Sequence, residues 1–252
     1  MSIARLIDAL ALPTGARVNR RVPKKLLLEQ GAPTAADRRQ IQDGIEELLW
    51  IAALKPNNIG VPGFRDEVRE YLEIAVLTVR LRPAAKPSRL AELIHRAIPY
   101  PVVLWTGQGA VGSLSLAHKR WSRGAGGEVV VEEMRRTAWL RADAPGELET
   151  AFLDSLAVSG LPTRDLYALY QGWIDRLVAL EVASITGAYG LPETAERAAT
   201  QRDALATQAT LQRELDRLRA RAEREKQINR RVELNLTIKR LEAELAATAQ
   251  AL

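Results

Sequence analysis

The chain has 252 residues, 36 of them Lys or Arg and 31 Asp or Glu, with 47% hydrophobic and 27% charged residues. That apolar content fills a domain-sized core and excludes wholesale disorder. The absence of cysteine excludes disulfides, thiol nucleophiles, zinc ribbons and iron–sulfur clusters. No apolar run reaches the roughly eighteen residues a membrane helix needs. The opening MSIARLIDALALPTGARVNRR is too weakly apolar for a secretory signal, so a cytoplasmic location without membrane partners is expected.

In chain order, residues 3–12 read as a short helix ended by Pro13 and Gly15. A dense basic cluster follows in ARVNRRVPKKLLLEQ: Arg17, Arg20, Arg21, Lys24 and Lys25, with no acid before Glu29. Such a cluster reads either as a solvated loop leading into a helix or as a contact for a phosphate backbone. Thr34 then caps an expected helix in which Ile41, Ile45, Leu48, Leu49 and Ala52 recur at helical spacing, stopped by Lys55–Pro56–Asn57–Asn58. Residues 71–81 (YLEIAVLTVRL) are rich in β-branched side chains and read as a central strand. Ser88 is expected to cap a helix through Ile98, which the run Ile98–Pro99–Tyr100–Pro101 breaks. Three strand signals follow at 101–106, 112–121 and 128–140, joined by the glycine-bearing turns TGQGAVG and SRGAGG.

From residue 147 the chain reads as helical. One helix covers 147–158, and a second opens after Leu161–Pro162–Thr163 with a wide apolar stripe from Leu166 to Leu180. Gly187, Gly190 and Pro192 form a linker. The last sixty residues carry no Gly or Pro after Pro192 and have long-helix composition. Leu211, Leu215 and Leu218 step by four and three, and so do Leu234, Ile238, Leu241 and Leu245. The two registers do not join, so a break lies within residues 225–236, around KQINRRVELN. A single straight helix here would be on the order of 90 Å long. It would have to fold back, dimerise or bind another protein.

The expected fold class is therefore α+β: a small mixed sheet (β-α-β-β-β) with covering helices, followed by a long C-terminal coiled-coil helix. The expected segments are 1–64, helical and basic and packed on the sheet; 65–146, the sheet core; 147–192, a helical pair and linker; and 193–252, the coiled coil. Charge follows no single segment. Residues 193–252 hold 12 basic and 10 acidic side chains and residues 1–192 hold 24 and 21, so the overall +5 is weak evidence for nucleic acid.

Gly107, Gly109 and Gly112 match the dinucleotide string GxGxxG, but a strand rather than a helix follows them, which makes a hairpin the better reading. The two histidines, His95 and His118, lack the acidic company of a metal site, although Glu92 shares a helical face with His95. No cofactor or metal is expected. Glu73, His118 and Lys119 are the weak candidates for catalysis, as a metal-dependent nuclease. The group His118, Lys119, Arg120, Trp121 and Arg123 is a second basic candidate for nucleic acid, with Trp121 able to stack on a base.

The strings RAIPYPVVLW and LSLAHKRWS, with VNRRVPKKLLLEQ, IEELLWIAALKPNNIGV and KQINRRVELNLTIKRLEAEL, give the chain a resemblance over nearly its whole length to the bacterial domain-of-unknown-function family 4391. The resemblance implies an accessory protein of bacterial anti-phage or restriction–modification loci, encoded beside a helicase and a DNA methyltransferase. It implies no activity residue by residue. Under it, the polar break reads as a docking surface. The expected partner contacts are Leu211, Leu215, Leu218, Gln227, Asn229, Arg230, Val232, Leu234, Asn235, Ile238, Leu241 and Leu245. The expectation is a non-enzymatic assembly subunit, a homo-oligomer or hetero-complex through the coiled coil, with DNA contacted through the basic groups. A nucleic-acid-processing subunit and a pure scaffold are the alternatives.

Overall fold

A computed structural model describes residues 3–122, 129–250 and 252. The chain divides into two compact units, Met1–Leu177 and Val178–Leu252.

The first unit is built on a seven-stranded mixed sheet. Its strands are β1 (Arg17–Arg21), β2 (Ile45–Leu54), β5 (Ile74–Leu81), β6 (Val102–Gln108), β7 (Val111–Trp121) and β8 (Val129–Arg136) in spatial order, with β9 (Leu140–Arg141) pairing the start of β7. Two further short strands, β3 (Phe64–Arg65) and β4 (Glu70–Tyr71), form a separate ribbon. Only β5 and β6 run parallel, because a helical crossover joins them while the other neighbours are antiparallel. Three short helices precede β2: α1 (Ala4–Asp8), α2 (Lys24–Gln30) and α3 (Ala35–Arg39). After α4 (Pro56–Ile59) and the crossover helix α5 (Pro87–Ala97) come α6 (Glu147–Ser155) and α7 (Leu166–Thr186), the last running across the unit boundary.

The β-α-β-β-β order over residues 65–140 forms as its patterns dictate. β5 and the first half of β6 are buried along almost their whole length, as two central strands covered on both faces must be. Leu90, Leu93, Ile94 and Ala97 of α5 close one face over Leu77, Val79, Val102 and Leu104. The glycine string closes the β6–β7 hairpin. Gly109 takes the left-handed φ of +62°, and a Cβ on Gly112 would fall 2.4 Å from Leu6 Cδ1.

One element is corrected. The helix expected between Thr34 and Lys55 stops after α3 and a π-type turn at Gln40–Gly44, and Ile45–Leu54 is a central strand. The cause lies in two β-bulges, between Ile45 and Glu47 and between Trp50 and Ala52. Each adds a residue and shifts the alternation, so the row facing α5 takes Ile45 and then Leu48, three apart. A strand bulged twice reproduces the three-to-four spacing of a helix. The apolar positions that looked like one helical face are divided between two faces of a sheet.

The second unit corrects the other helical expectation. No single long helix forms. α8 (Ala195–Arg224) and α9 (Ile228–Gln250) are separated at Glu225–Gln227 and fold back as an antiparallel hairpin. Leu215, Leu218 and Ala222 meet Ile238 and Leu241, with Leu211 and Leu234 packed beside them. Polar ties repeat along the pair: Arg219 to Glu242 at 2.7 Å, Gln208 Nε2 to Leu245 O at 3.2 Å, and Arg197 to Leu252 O at 3.2 Å. The register mismatch in the leucine steps is where the chain reverses, because two seams facing each other need no common phase.

Candidate nucleic-acid interface

The first basic cluster lies at a sheet edge. Among the described residues β1 pairs only with β2, and its register slips between Arg17 and Arg20. Asn19 sits in that slip with φ of 48°, a left-handed conformation asparagine adopts more readily than most residues. The slip separates the arginines. Arg17 stands opposite Ala52 and lines a hollow of about 360 Å³ with Asp8, Glu47 and Arg80. Arg20 stands opposite Trp50 and Arg21 opposite Leu49, and both line a second hollow of about 260 Å³. All three guanidinium groups are exposed, and none makes an ion pair with a described carboxylate. The lysines differ. Lys24 donates to Gln42 O at 2.8 Å, and burial together with Arg82 and Arg21 lowers its pKa. Lys25 forms an exposed i,i+4 pair with Glu29 at 3.6 Å.

The second basic group ends β7, and its first two residues are engaged within the fold. His118 sits between two partners. Its Nδ1 lies 2.5 Å from the Tyr71 hydroxyl and its Nε2 lies 2.8 Å from Gln171 Oε1. An amide oxygen only accepts, so Nε2 carries the proton and Nδ1 accepts from Tyr71. Gln171 in turn donates to Asp175 at 2.8 Å. Burial depresses the His118 pKa and so favours the neutral ring, whose tautomer the Gln171 oxygen sets. Tyr71, Tyr167, Tyr170 and His118 pack ring against ring, and Arg69 lies 5.6 Å from the Tyr167 ring centre. Arg69 is itself held by both oxygens of Glu132, at 2.8 and 3.1 Å.

Lys119 is 3% exposed. Its amine donates to the carbonyls of Ile98 and Tyr100, tying β7 to the Ile98–Pro101 turn. Burial pulls its pKa down to about 7, against the pull of two carbonyl acceptors toward the charged form. His95 is fully buried on α5, 3.0 Å from Ser115 Oγ. Burial first, and the Lys119 cation second, push its pKa down to about 3. Arg120 and Trp121 are half-buried, as is His118. Arg120 faces Glu132 at 3.8 Å and donates to Trp121 O at 3.3 Å. Arg123 lies outside the described residues.

Among the described residues no hydrogen bond or ion pair joins Glu73 to His118 or Lys119. Glu73 is bound to Lys55 at 2.8 Å, while His118 and Lys119 hold the partners just described. Glu92 answers Arg89 and Arg96 rather than His95. Among the described residues no group of three metal-ligating side chains comes together.

What the fold does bring together is the turn between the two basic groups. Pro99 and Tyr100 wall the hollow that carries Arg20, Arg21 and Trp50. The same two residues wall another, of about 320 Å³, lined by Lys119, Arg120 and Trp121. Tyr100 is 42% exposed. The sequence signals are the two clusters themselves; the part that Trp50 and Tyr100 play between them has none, because 79 residues separate Arg21 from Tyr100.

In the second unit, the expected partner contacts divide. Leu215, Leu218, Ile238 and Leu241 are buried in the hairpin's own seam, where Leu211 and Leu234 join them and Leu245 is half-buried. Gln227, Asn229, Arg230, Val232 and Asn235 are exposed. Ile228, Val232 and Leu236, four residues apart on α9, are 69%, 52% and 64% exposed and form a second apolar stripe outside the seam.

Neither a curated protein nor a solved structure matches the chain. Residues 10–245 match the domain of unknown function DUF4391, and the chain belongs to that family.

Proposed function

We propose that the protein is a non-enzymatic accessory subunit of a bacterial anti-phage or restriction–modification system, assembling with a helicase or DNA methyltransferase of the same locus. The observation that carries this reading is the stripe Ile228–Val232–Leu236. These large apolar side chains stand in water on a helix whose other apolar face is already satisfied by α8. A hairpin needs only one seam, so a second stripe serves a further helix, from a second copy or from a partner. The flanking exposed Asn229, Arg230 and Asn235 supply the polar rim such an interface uses. Contact with DNA is the role proposed for the first unit, through Arg20 and Arg21 at the sheet edge.

The test replaces Ile228, Val232 and Leu236 together by Gln. Because these side chains are exposed, the variant should unfold within about 1 kcal/mol of the parent. Its mass by light scattering should fall, or its recovery of the helicase and methyltransferase in pull-down should drop at least about tenfold. Unchanged mass together with unchanged recovery would sink the assembly reading.

A further inference from the structure

Arg20, Trp50 and Leu77 stand opposite one another across β1, β2 and β5 and so share one face of the sheet. The Ile98–Tyr100 turn stands over this row without closing it, leaving the hollow of about 260 Å³. Its walls are apolar: Trp50, Leu26, Leu77, Ile98 and Pro99. The Trp50 indole N–H is already donated to Ala52 O at 2.8 Å, so that ring offers the hollow a hydrocarbon surface. Two further lining residues are the opposite in character: Arg20 and Arg21, neither paired with a described carboxylate.

An apolar slot with two unmatched cations in its lining selects against simple ligands. An inorganic anion leaves the slot empty, and a neutral apolar molecule leaves the arginines without a partner. A nucleotide satisfies both, its base in the slot and its phosphate on the arginines. The base must be unpaired, since a stacked base pair cannot enter a slot of this size. The neighbouring hollow distinguishes a chain from a single nucleotide. Across Pro99 and Tyr100 it repeats the combination of an aromatic ring with an arginine, in Trp121 and Arg120. Its one lining carboxylate, Glu70, is paired to Arg65 at 3.1 Å. A mononucleotide would use one hollow; successive nucleotides would use both, with the exposed Tyr100 ring between them.

We infer that the β1 edge and the Ile98–Pro101 turn form a track for single-stranded DNA, taking one unpaired base between Trp50 and Tyr100 with phosphates on Arg20 and Arg21. This rests on the reading that the first unit contacts DNA, and it names the form of DNA.

The experiment uses the full chain and fluorescence anisotropy with a labelled oligothymidylate of about twelve nucleotides, a duplex of equal length, and thymidine monophosphate as competitor. The single strand should bind at least about tenfold more tightly than the duplex. Tyr100→Ala should weaken single-strand binding about tenfold and leave the duplex within about twofold, while Tyr100→Phe should bind as the parent. Arg20→Ala with Arg21→Ala should reduce the single-strand salt slope by about 1.4, two phosphates at roughly 0.7 each. Circular dichroism melting confirms that each variant is folded. Duplex preference, or an unaltered single-strand affinity in Tyr100→Ala, overturns the track while leaving DNA contact standing. Displacement by monophosphate at the oligonucleotide's own affinity overturns the polymer. Absence of binding to either DNA at low salt overturns both the track and the reading beneath it.

Discussion

The two basic clusters look alike as strings, yet the fold treats them in opposite ways. At 17–25 the arginines sit on an edge strand that, among the described residues, pairs on one side only, and their charges stay in water. At 118–121 the strand has run past its pairing with β6 and pairs with β8, and Gln171 and the Ile98–Tyr100 turn take up His118 and Lys119. His118 and Lys119 become parts of hydrogen-bond networks within the fold, Lys119 buried and His118 half-buried, while Arg120 and Trp121 are half-buried at the end of the strand. What packs against the strand, rather than composition, decides whether a cation is available to a ligand.

The largest expected effect is acid sensitivity near the second cluster. His95 has a folded pKa of about 3 against an ordinary 6.5, with burial as the main cause. Between those values the unfolded chain binds more protons, so stability present above pH 6.5 is lost as pH falls toward 3. By pH 4 the loss from this residue should be on the order of 3 kcal/mol. Urea midpoints from pH 7 down to 4 check this: His95→Gln should flatten the acid limb, and an unchanged limb would refute the assignment. Lys119 behaves in the same sense at higher pH. With its pKa lowered to about 7 from 10.5, its contribution makes stability rise between those values.

Next in size is the loss of the Lys119 amine itself. Lys119→Met keeps most of the volume but takes the donor from the carbonyls of Ile98 and Tyr100. The cost should be about 2 kcal/mol at pH 7, read as a lower urea midpoint with an unchanged slope. The same variant should also remove the rise in stability above pH 7. A melting profile equal to the parent's at every pH would show that the turn is held without the amine.

Much of the sheet is legible in the residue pattern alone. β5, α5, β6 and β7 announce themselves because two buried strands, an amphipathic helix and a glycine turn each have a local signature, although α5 starts at Pro87 with no side-chain cap rather than at a Ser88 cap. β2 does not, because its two bulges change the spacing of Ile45 and Leu48 to that of a helix, and bulges are fixed by β1 and β5 across the ladder. The break at 225–227 is legible from the leucine steps, whereas the choice of hairpin over a single helix depends on the pairing of α8 with α9. Of the proposed interface, Arg20, Arg21, Arg120 and Trp121 are legible as clusters. Trp50 and Tyr100 are not, since nothing local to either residue records that a crossover helix returns the chain beside β1.

The smallest expected effect sharpens the comparison most. Arg20→Ala with Arg21→Ala should shift unfolding by no more than about 0.5 kcal/mol, because exposed side chains without a charged partner leave nothing unsatisfied when removed. Urea denaturation at pH 7 beside Lys119→Met makes the contrast direct. A loss near 2 kcal/mol in the arginine pair would mean that these cations are structural like Lys119, and the edge strand would cease to be a site where charge is held for a ligand. Stability that survives, together with a reduced salt slope for DNA, would separate the two clusters by role: one holds the fold together and the other faces outward.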